Sequence, residues 1–336
     1  MIILAFETSC DETSVAVVRD GRHVLSNIVA SQTELHEIYG GVVPEIASRR
    51  HIELIRSLAE NALGQAGISK TEIDAVACTT APGLIGALLV GLSFAKAMAF
   101  GLGVPFVPVH HIRGHVAANF LAYPELEPPF IALVASGGHS SILYVTDYTE
   151  YSTLGITRDD AAGECFDKIA RVMGLGYPGG PLLDKLAEGG NPDAFKLPRA
   201  KIDGYPLDMS FSGLKTSVIN IIHNAEQRGE MLNTSDLAAA FSQAVSDTLI
   251  SRLKIALKQT GENVVVLAGG VAANMWLRRE LLQSVNGNKL YLAPLKLCGD
   301  NAAMIGAQGY YEFLAGNVSE LSHNALATRG ADERLC

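Results

Sequence analysis

The chain opens on an apolar run, ILAFE (3–7), and returns to one at SVAVVRDG (14–21), with the polar stretch TSCDET between them. Apolar, β-branched runs flanking turn-forming residues predict two strands joined by a polar turn. The outline recurs in FIALVASGGHSSILYVTDY (130–148): apolar strand, small-residue turn, apolar strand, acidic turn. Two hairpins of similar build so far apart imply a duplicated architecture, with one hairpin opening each half.

Between the hairpins lie an amphipathic stretch around Ser48–Gln65, a strand IDAVACTT (73–80) and the long apolar segment 81–109. That segment carries only one charge, Lys96, yet it holds five glycines and three prolines and lacks a basic flank, so a buried helix followed by a short strand fits it better than a membrane span. In the second half, DLAAAFSQAVSDTLISRLKIALKQTG (236–261) has helical spacing and ends on a glycine stop. It leads into VVVLAGGVAAN (264–274), a buried strand running into two glycines and a helix start, where backbone can approach a ligand at a sheet's C-terminal edge. GLGYPGGP (174–181) and the segment 191–206 read as loops. Strands alternating with helices make the class α/β.

At 336 residues, two domains are expected. Twenty-six basic side chains against 35 acidic ones give a net charge of −9, which excludes indiscriminate binding to a polyanion and requires any nucleic acid to meet a local basic patch. Arg49–Arg50, Lys196, Arg199, Lys201 and Arg278–Arg279 are candidates for such contacts. Five cysteines without paired or CxxC spacing point to a reducing compartment, and the N-terminus does not read as a signal peptide, so a cytoplasmic location is expected.

VHHIRGH (109–115) sets three histidines within six residues, and on a helix His111 and His115 share one face. Two neutral imidazoles there suit a metal, but HxxxH also arises by chance in polar runs. Asp300, in LCGDNAAMIGAQGY (297–310), stands where a helix begins, so it is either a cap for free amides or a third ligand. HIRGH lacks the glutamate of HExxH, so a zincin-type peptidase is not supported. Asp11 and Glu12 are adjacent carboxylates in the first turn and, in an extended chain, point opposite ways. They are either a solvated turn or a source of a general base or of a contact to a metal-bound water. The pairs Gly137–Gly138, Gly179–Gly180 and Gly269–Gly270 beside strand ends either make tight turns or offer backbone amides to a phosphate. Acidic residues at 159, 160, 164 and 167 gather around a helix start, where capping accounts for some of them, and Lys215 falls on another helix start.

The motifs ETSCDETS, GGVVPEIASRRH, APGLIGALLVG, HHIRGH, SGGHS, DDAAGECFDK, YPGGP, SFSGLKT, AGGVAAN and CGDNAAMIG follow one another in this order. In this the chain resembles, over residues 1 to about 310, the bacterial tRNA N(6)-adenosine threonylcarbamoyltransferase catalytic subunits (TsaD/Gcp/Kae family, formerly called glycoproteases). The resemblance implies a duplicated actin/sugar-kinase/Hsp70-like (ASKHA) two-lobed α/β fold. Its N-terminal lobe would span 1–110, rejoined by a C-terminal helix at about 302–336. Its C-terminal lobe would span 111–301, with the active site in the cleft between them.

The activity implied is transfer of a threonylcarbamoyl group from threonylcarbamoyl-AMP to the N(6) amine of adenosine 37 in tRNAs reading codons that begin with A, releasing AMP. Carried over by position, His111, His115 and Asp300 would hold one divalent metal ion, iron(II) or zinc. Val134, Ala135, Ser136, Gly137, Gly138, Asp167, Gly180, Asp184 and Asn274 would bind the donor. The acceptor amine is a weak nucleophile, so a proton acceptor is expected, and Asp11 or Glu12 is the candidate. Implied partners are tRNA, a noncatalytic paralogue (TsaB-like) and a small P-loop ATPase (TsaE-like), with no membrane. An ATP-dependent sugar kinase-like phosphotransferase and a noncatalytic ATPase-like scaffold are the alternatives on the same fold. The chain departs from the common CTDN by having Gly299 before Asp300, which removes a hydroxyl beside the expected ligand.

Overall fold

A computed structural model describes residues 1–335. The chain begins with three strands, β1 (Ile2–Glu7), β2 (Glu12–Arg19) and β3 (His23–Ser31). A short helix α1 (Thr33–Glu37) and the long α2 (Pro44–Ala66) lead to β4 (Ala75–Ala81), α3 (Ile85–Leu102), β5 (Phe106–His110) and α4 (His111–Ala122). β1 pairs antiparallel with β2 and parallel with β4, and β4 pairs parallel with β5, giving the order β3-β2-β1-β4-β5.

The second hairpin is β6 (Phe130–Ala135) and β7 (Ser140–Asp147), followed by β8 (Glu150–Ile156). Four helices follow: α5 (Ala162–Val172), α6 (Gly179–Ala187), α7 (Ser212–Arg228) and α8 (Thr234–Thr260). The chain then runs through β9 (Val264–Ala268), α9 (Met275–Ser284), β10 (Lys289–Leu292) and α10 (Ala302–Leu314). The second sheet has the order β10-β9-β6-β7-β8, the first sheet's arrangement repeated element for element. β6–β9 and β9–β10 are parallel, as β1–β4 and β4–β5 are. The duplication inferred from the two hairpins is therefore a duplication of whole sheets.

The chain forms two compact units. One holds Met1–Pro128, Val145–Ser152 and the chain from Ala293 onward; the other holds Pro129–Tyr144 and Thr153–Leu292. α4, which follows residue 110, packs on α10 and lies in the first unit.

Three expectations change. α3 is long and apolar enough to cross a membrane, but it is buried on one face only: Leu88, Leu92, Ala95 and Ala99 join the core against β1, β4 and α2, while Ile85, Leu89 and Phe100 are exposed. The loop expected over 174–181 ends early, because α6 starts at Gly179, where a Cβ would stand 2.5 Å from that of Ala170. Only glycine lets α6 begin so close to α5. The C-terminal helix expected over about 302–336 stops at Leu314, since Gly316 takes a left-handed φ of 78° and turns the chain back over β5.

Candidate functional site

β1, β4 and β5 run parallel, and their C-terminal ends gather Glu7, Thr79 and His110 at one sheet edge, where open α/β sheets bind ligands. His111 begins α4 directly after β5, and His115 follows one turn later on the same face. The segment leading into α10 supplies the third side chain, Asp300. Capping, the alternative explanation for Asp300, is carried out by other groups. The amide of Met304 donates to Asn301 Oδ1 (3.1 Å), that of Ala302 to Ser14 Oγ (2.8 Å), and that of Ala303 to Asn27 Oδ1 (3.3 Å). The cap is thus Asn301, and the carboxylate of Asp300 lies beside the histidines.

Asp300 Oδ1 lies 3.5 Å from His111 Nε2 and 3.2 Å from His115 Nε2, and one donor atom from each of the three residues lies within 4.8 Å of the others. Donors bound at about 2.1 Å and at right-angled to tetrahedral spacing stand about 3.0–3.4 Å apart, close to the two separations measured from Asp300 Oδ1. His115 is 1% exposed, and among the described residues neither of its ring nitrogens makes a hydrogen bond of acceptable geometry, although the carboxylate is near. Leaving a buried polar atom unsatisfied costs about 1–3 kcal/mol, a cost that coordination to a cation removes.

The His111 ring is oriented from behind. Its Nδ1 stands 3.0 Å from Glu7 Oε2 and 3.1 Å from Ser9 Oγ. A carboxylate only accepts, so Nδ1 carries the proton and Nε2 presents its lone pair, the arrangement that metal-binding histidines adopt. Glu7 is fully buried and receives two further bonds, from the Ser9 amide (2.5 Å) and Thr79 Oγ1 (2.6 Å). Burial alone would raise the Glu7 pKa; the adjacent His111 ring and the hydrogen bonds outweigh it and hold Glu7 below its ordinary value. Burial would lower the pKa of His111, but the charges of Asp300 and Glu7 lift it to about 9. Without a metal, a second proton therefore occupies this ring at neutral pH, on Nε2, and the lone pair there is free only once that proton is lost.

His110 faces away from the triad. Its Nδ1 accepts from the Ile112 amide (3.2 Å) and caps α4. Asp11 and Glu12 do not diverge as an extended chain would require. Asp11 reaches Glu12 and the Cys10 thiol as a hydrogen-bonding partner, because a turn intervenes before β2. Burial, then the charges of Asp300 and Asp11, push Glu12 up to about 10, so it holds a proton; Ser31 Oγ donates to its Oε1 (3.1 Å).

The residues expected to bind a nucleotide donor lie in the second unit. Val134 and Ala135 end β6, and Ser136-Gly137-Gly138 form a turn in which the Ser136 amide donates to the His139 carbonyl (2.8 Å). The first amides of α5 donate back into that turn, Gly163 to Ser136 (3.1 Å) and Glu164 to Gly137 (3.1 Å). Gly269, at φ 93°, brings the second glycine turn against it; a Cβ there would meet the Ala135 carbonyl oxygen at 2.3 Å. Around Gly137, Gly138, Gly180 and Gly270, by contrast, a Cβ would find open space. Asp167 Oδ1 accepts from the Gly179 amide (2.8 Å) and ties α5 to α6. Asp184 accepts from the Met275 (2.7 Å) and Trp276 (3.1 Å) amides at the start of α9, and Asn274 Oδ1 caps the same helix through Leu277 (2.8 Å). The Asn274 side-chain amide nitrogen is buried without a partner among the described residues.

Several groups in this region were not singled out from sequence. Glu7, Ser9, Thr79 and Asn301 orient the triad, and the only sequence signal for Glu7 is a carboxylate closing an apolar strand. Among the acidic residues at the start of α5, Asp159 serves another helix, accepting from the amides of Phe211 (2.8 Å) and Ser212 (3.2 Å) at the start of α7. Lys215 is paired with Asp160 rather than solvated. Four of the basic candidates for polyanion contact are already paired: Arg49 with Glu45, Arg50 with Glu53, Arg199 with Asp247 and Arg279 with Glu280.

Comparison with known proteins bears on both units. HypF from T. kodakarensis superposes with a TM-score of 0.61 at 16% identity, covering 94% of this chain and 48% of that one. (R)-2-Hydroxyglutaryl-CoA dehydratase component A of Acidaminococcus fermentans superposes at 0.53 and 16% identity, covering 93% and 98%. These likenesses show the fold, that of the actin, sugar-kinase and Hsp70 class. In sequence, the chain is 50% identical over 334 residues to the tRNA N6-adenosine threonylcarbamoyltransferase of Clostridium botulinum strain 657, covering 99% of this chain and 98% of the relative. It is 51% identical over 329 residues to that of Caldicellulosiruptor saccharolyticus, covering 97% of each. With the profile of the tRNA N6-adenosine threonylcarbamoyltransferases (TsaD) matching residues 23–307 as well, the chain belongs to that family.

Proposed function

We propose that this chain is a tRNA N(6)-adenosine threonylcarbamoyltransferase. It moves the threonylcarbamoyl group of threonylcarbamoyl-AMP onto the N(6) amine of adenosine 37 in tRNAs reading codons that begin with A. The amine nitrogen forms a bond to the carbamoyl carbonyl carbon, the carbon–oxygen bond to the phosphate breaks, AMP leaves, and the amine gives up one proton. Family membership supports the reaction class. The observation that carries the site is the convergence of His111, His115 and Asp300 with helix capping assigned to Asn301.

His111, His115 and Asp300 are the residues that would hold a single divalent ion, iron(II) or zinc. When bound, that ion supplies Lewis-acid polarisation of an oxygen on the activated donor. Glu7 and Ser9 keep the His111 lone pair aimed outward. The open space beside the Cα atoms of glycines 137, 138 and 180 lets phosphate oxygens approach the backbone, and Val134 and Ala135 lead into the turn that presents the first two. Asn274 has an unspent buried N–H₂ to donate. Asp167 and Asp184 each accept an amide proton already, and a carboxylate has lone pairs left for a hydroxyl. Of the Asp11–Glu12 pair, Glu12 already holds a proton, so Asp11 is the proposed proton acceptor, with Glu12 as its hydrogen-bonding partner.

The net charge of −9 and the paired arginines support weak tRNA binding by the isolated chain, with a noncatalytic paralogue and a small P-loop ATPase completing the tRNA surface in the cytoplasm. The test is single-turnover transfer from threonylcarbamoyl-AMP to tRNA, read as modified nucleoside and AMP by mass spectrometry, with those two proteins present. Transfer that disappears with Asp11→Ala or His115→Ala supports the assignment. Unchanged rates in both variants overturn these roles, and ADP formed from ATP and a sugar in place of transfer overturns the reaction.

A further inference from the structure

Two residues of VHHIRGH take no part in the metal assignment, His110 and Arg113, and both grip the last stretch of the chain. Because His110 Nδ1 accepts the Ile112 amide, its Nε2 bears the proton, and Nε2 donates to the Arg329 carbonyl (3.1 Å). Arg113 sits on the face of α4 opposite His111 and His115, two residues from each. It is buried, and its fork is spent almost wholly on backbone. Nε donates to the Ala331 carbonyl (2.8 Å), one terminal nitrogen to the Glu333 carbonyl (3.2 Å), and the other to the Thr149 carbonyl (3.1 Å) and Glu312 Oε1 (3.1 Å). The guanidinium also lies 4.8 Å over the Tyr151 ring.

The same stretch reaches the other supports of the triad. The Leu326 amide donates to the Thr80 carbonyl (2.9 Å), next to the Thr79 that holds Glu7. The Gly83 amide donates to the Ala327 carbonyl (3.2 Å), and Gly83 is pressed so closely on Ser9 that a Cβ would stand 2.7 Å from the Ser9 carbonyl oxygen. Ser9 in turn contacts His111.

We propose that residues 326–333 form a strap that fixes the orientation of α4 through His110 and Arg113, making these two the positioning residues of the metal centre. The inference rests on the assignment of His111, His115 and Asp300 to a metal. A ligand set works only when its rings are held within about 0.5 Å and 10–20° of the bonding geometry. α4 is rooted at its first residue in β5 and packed on α10, and the strap clamps its remaining side. Backbone carbonyls as acceptors, directed at a planar fork, give that clamp one geometry.

The test uses full-length Arg113→Lys and His110→Asn. Lysine keeps the charge but cannot fork. Asparagine can still cap the Ile112 amide yet is too short to reach the Arg329 carbonyl. Zinc affinity is measured by competition with a chromogenic chelator, well below the melting temperature of each metal-free protein, and hydrogen exchange is followed over 326–333. The expected result is faster exchange in the strap with zinc bound about tenfold more weakly by Arg113→Lys, and weakened in the same direction by His110→Asn. Faster strap exchange with zinc affinity within about twofold of the parent would overturn the proposal, since a purely structural role lowers melting temperature without touching affinity. Should Arg113→Lys not fold, His110→Asn decides alone by the same criterion. Failure of the parent protein to bind zinc or iron(II) overturns the metal assignment itself, a result seen before any variant is made.

Discussion

Replacing Glu7 by Gln tests whether the buried carboxylate sets the ligand geometry. Its two oxygens serve three donors: one takes the Ser9 amide at 2.5 Å, the other takes Thr79 Oγ1 at 2.6 Å and His111 Nδ1 at 3.0 Å. An amide of the same shape has one accepting oxygen and one NH₂. With the oxygen toward His111, the NH₂ confronts the Ser9 N–H and leaves a buried backbone donor unmet, at about 1–3 kcal/mol. With the oxygen toward Ser9, the NH₂ faces Nδ1 and drives the imidazole proton onto Nε2, the atom a metal needs. Either orientation penalises the bound state. Losses of this kind in the outer shell of a metal site weaken binding about 10–100-fold, or about 1.4–2.7 kcal/mol. The assay is anaerobic chelator competition with iron(II), repeated with zinc, alongside melting with and without metal. A Glu7→Gln protein that is folded and binds either ion within about threefold of the parent would refute the reasoning.

Three further outcomes are expected. Because the folded, metal-free pKa of His111 is raised to about 9 from an ordinary value of about 6.5, its protonated form contributes stability fully below pH 6.5, and that contribution fades as pH rises through 9. A metal must displace that proton, so affinity should climb roughly tenfold per pH unit between 7 and 9, with about one proton released in calorimetry across buffers of different ionisation enthalpy; no proton release counts against it. Asn301→Ala should cost about 1 kcal/mol in urea unfolding through loss of the α10 cap and should weaken metal binding as Asp300 turns to the freed amide; equal affinity would show that Asp300 is not competed for. Gly269→Ala combines φ +93° with a methyl 2.3 Å from the Ala135 carbonyl oxygen, so a loss of about 3 kcal/mol or more is expected, and a urea midpoint equal to the parent's would contradict the close approach of the two turns.

What the sequence disclosed and what it hid follow from the physics of each element. Strands and helices with clear periods, such as ILAFE, VVVLA and the stretch ending at Gly261, are read correctly because burial enforces the period. Gly179 as a helix start was not legible, since the reason for it is a neighbouring helix, not a local preference. In GDNAAM two adjacent residues can both cap a helix, and only the positions of Ser14 and Asn27 on the sheet decide that Asn301 does so and Asp300 does not. Proximity of His111 to His115 was visible as helical spacing; the Glu7 support was not, because nothing local links residue 7 to residue 111. The strap was wholly silent. LATRGADERL has no hydrophobic period, and the groups that matter in it are carbonyls that every residue possesses.

The two sheets repeat one blueprint, yet their leading strands finish differently. The registers β1–β4 and β6–β9 make Phe6 the counterpart of Val134, so the carboxylate of Glu7 corresponds to the methyl of Ala135. The end of one leading strand carries a buried carboxylate, while its counterpart in the other sheet carries only a methyl group and runs into Gly137 and Gly138. In each sheet the change lies one residue past the last parallel pair, Phe6–Cys78 in one and Val134–Ala268 in the other, so it leaves the parallel register untouched while Glu7 still pairs with Ser14 on the antiparallel side. Grafting a carboxylate at 135, or erasing the one at 7, would ask each half to relearn the other's trade.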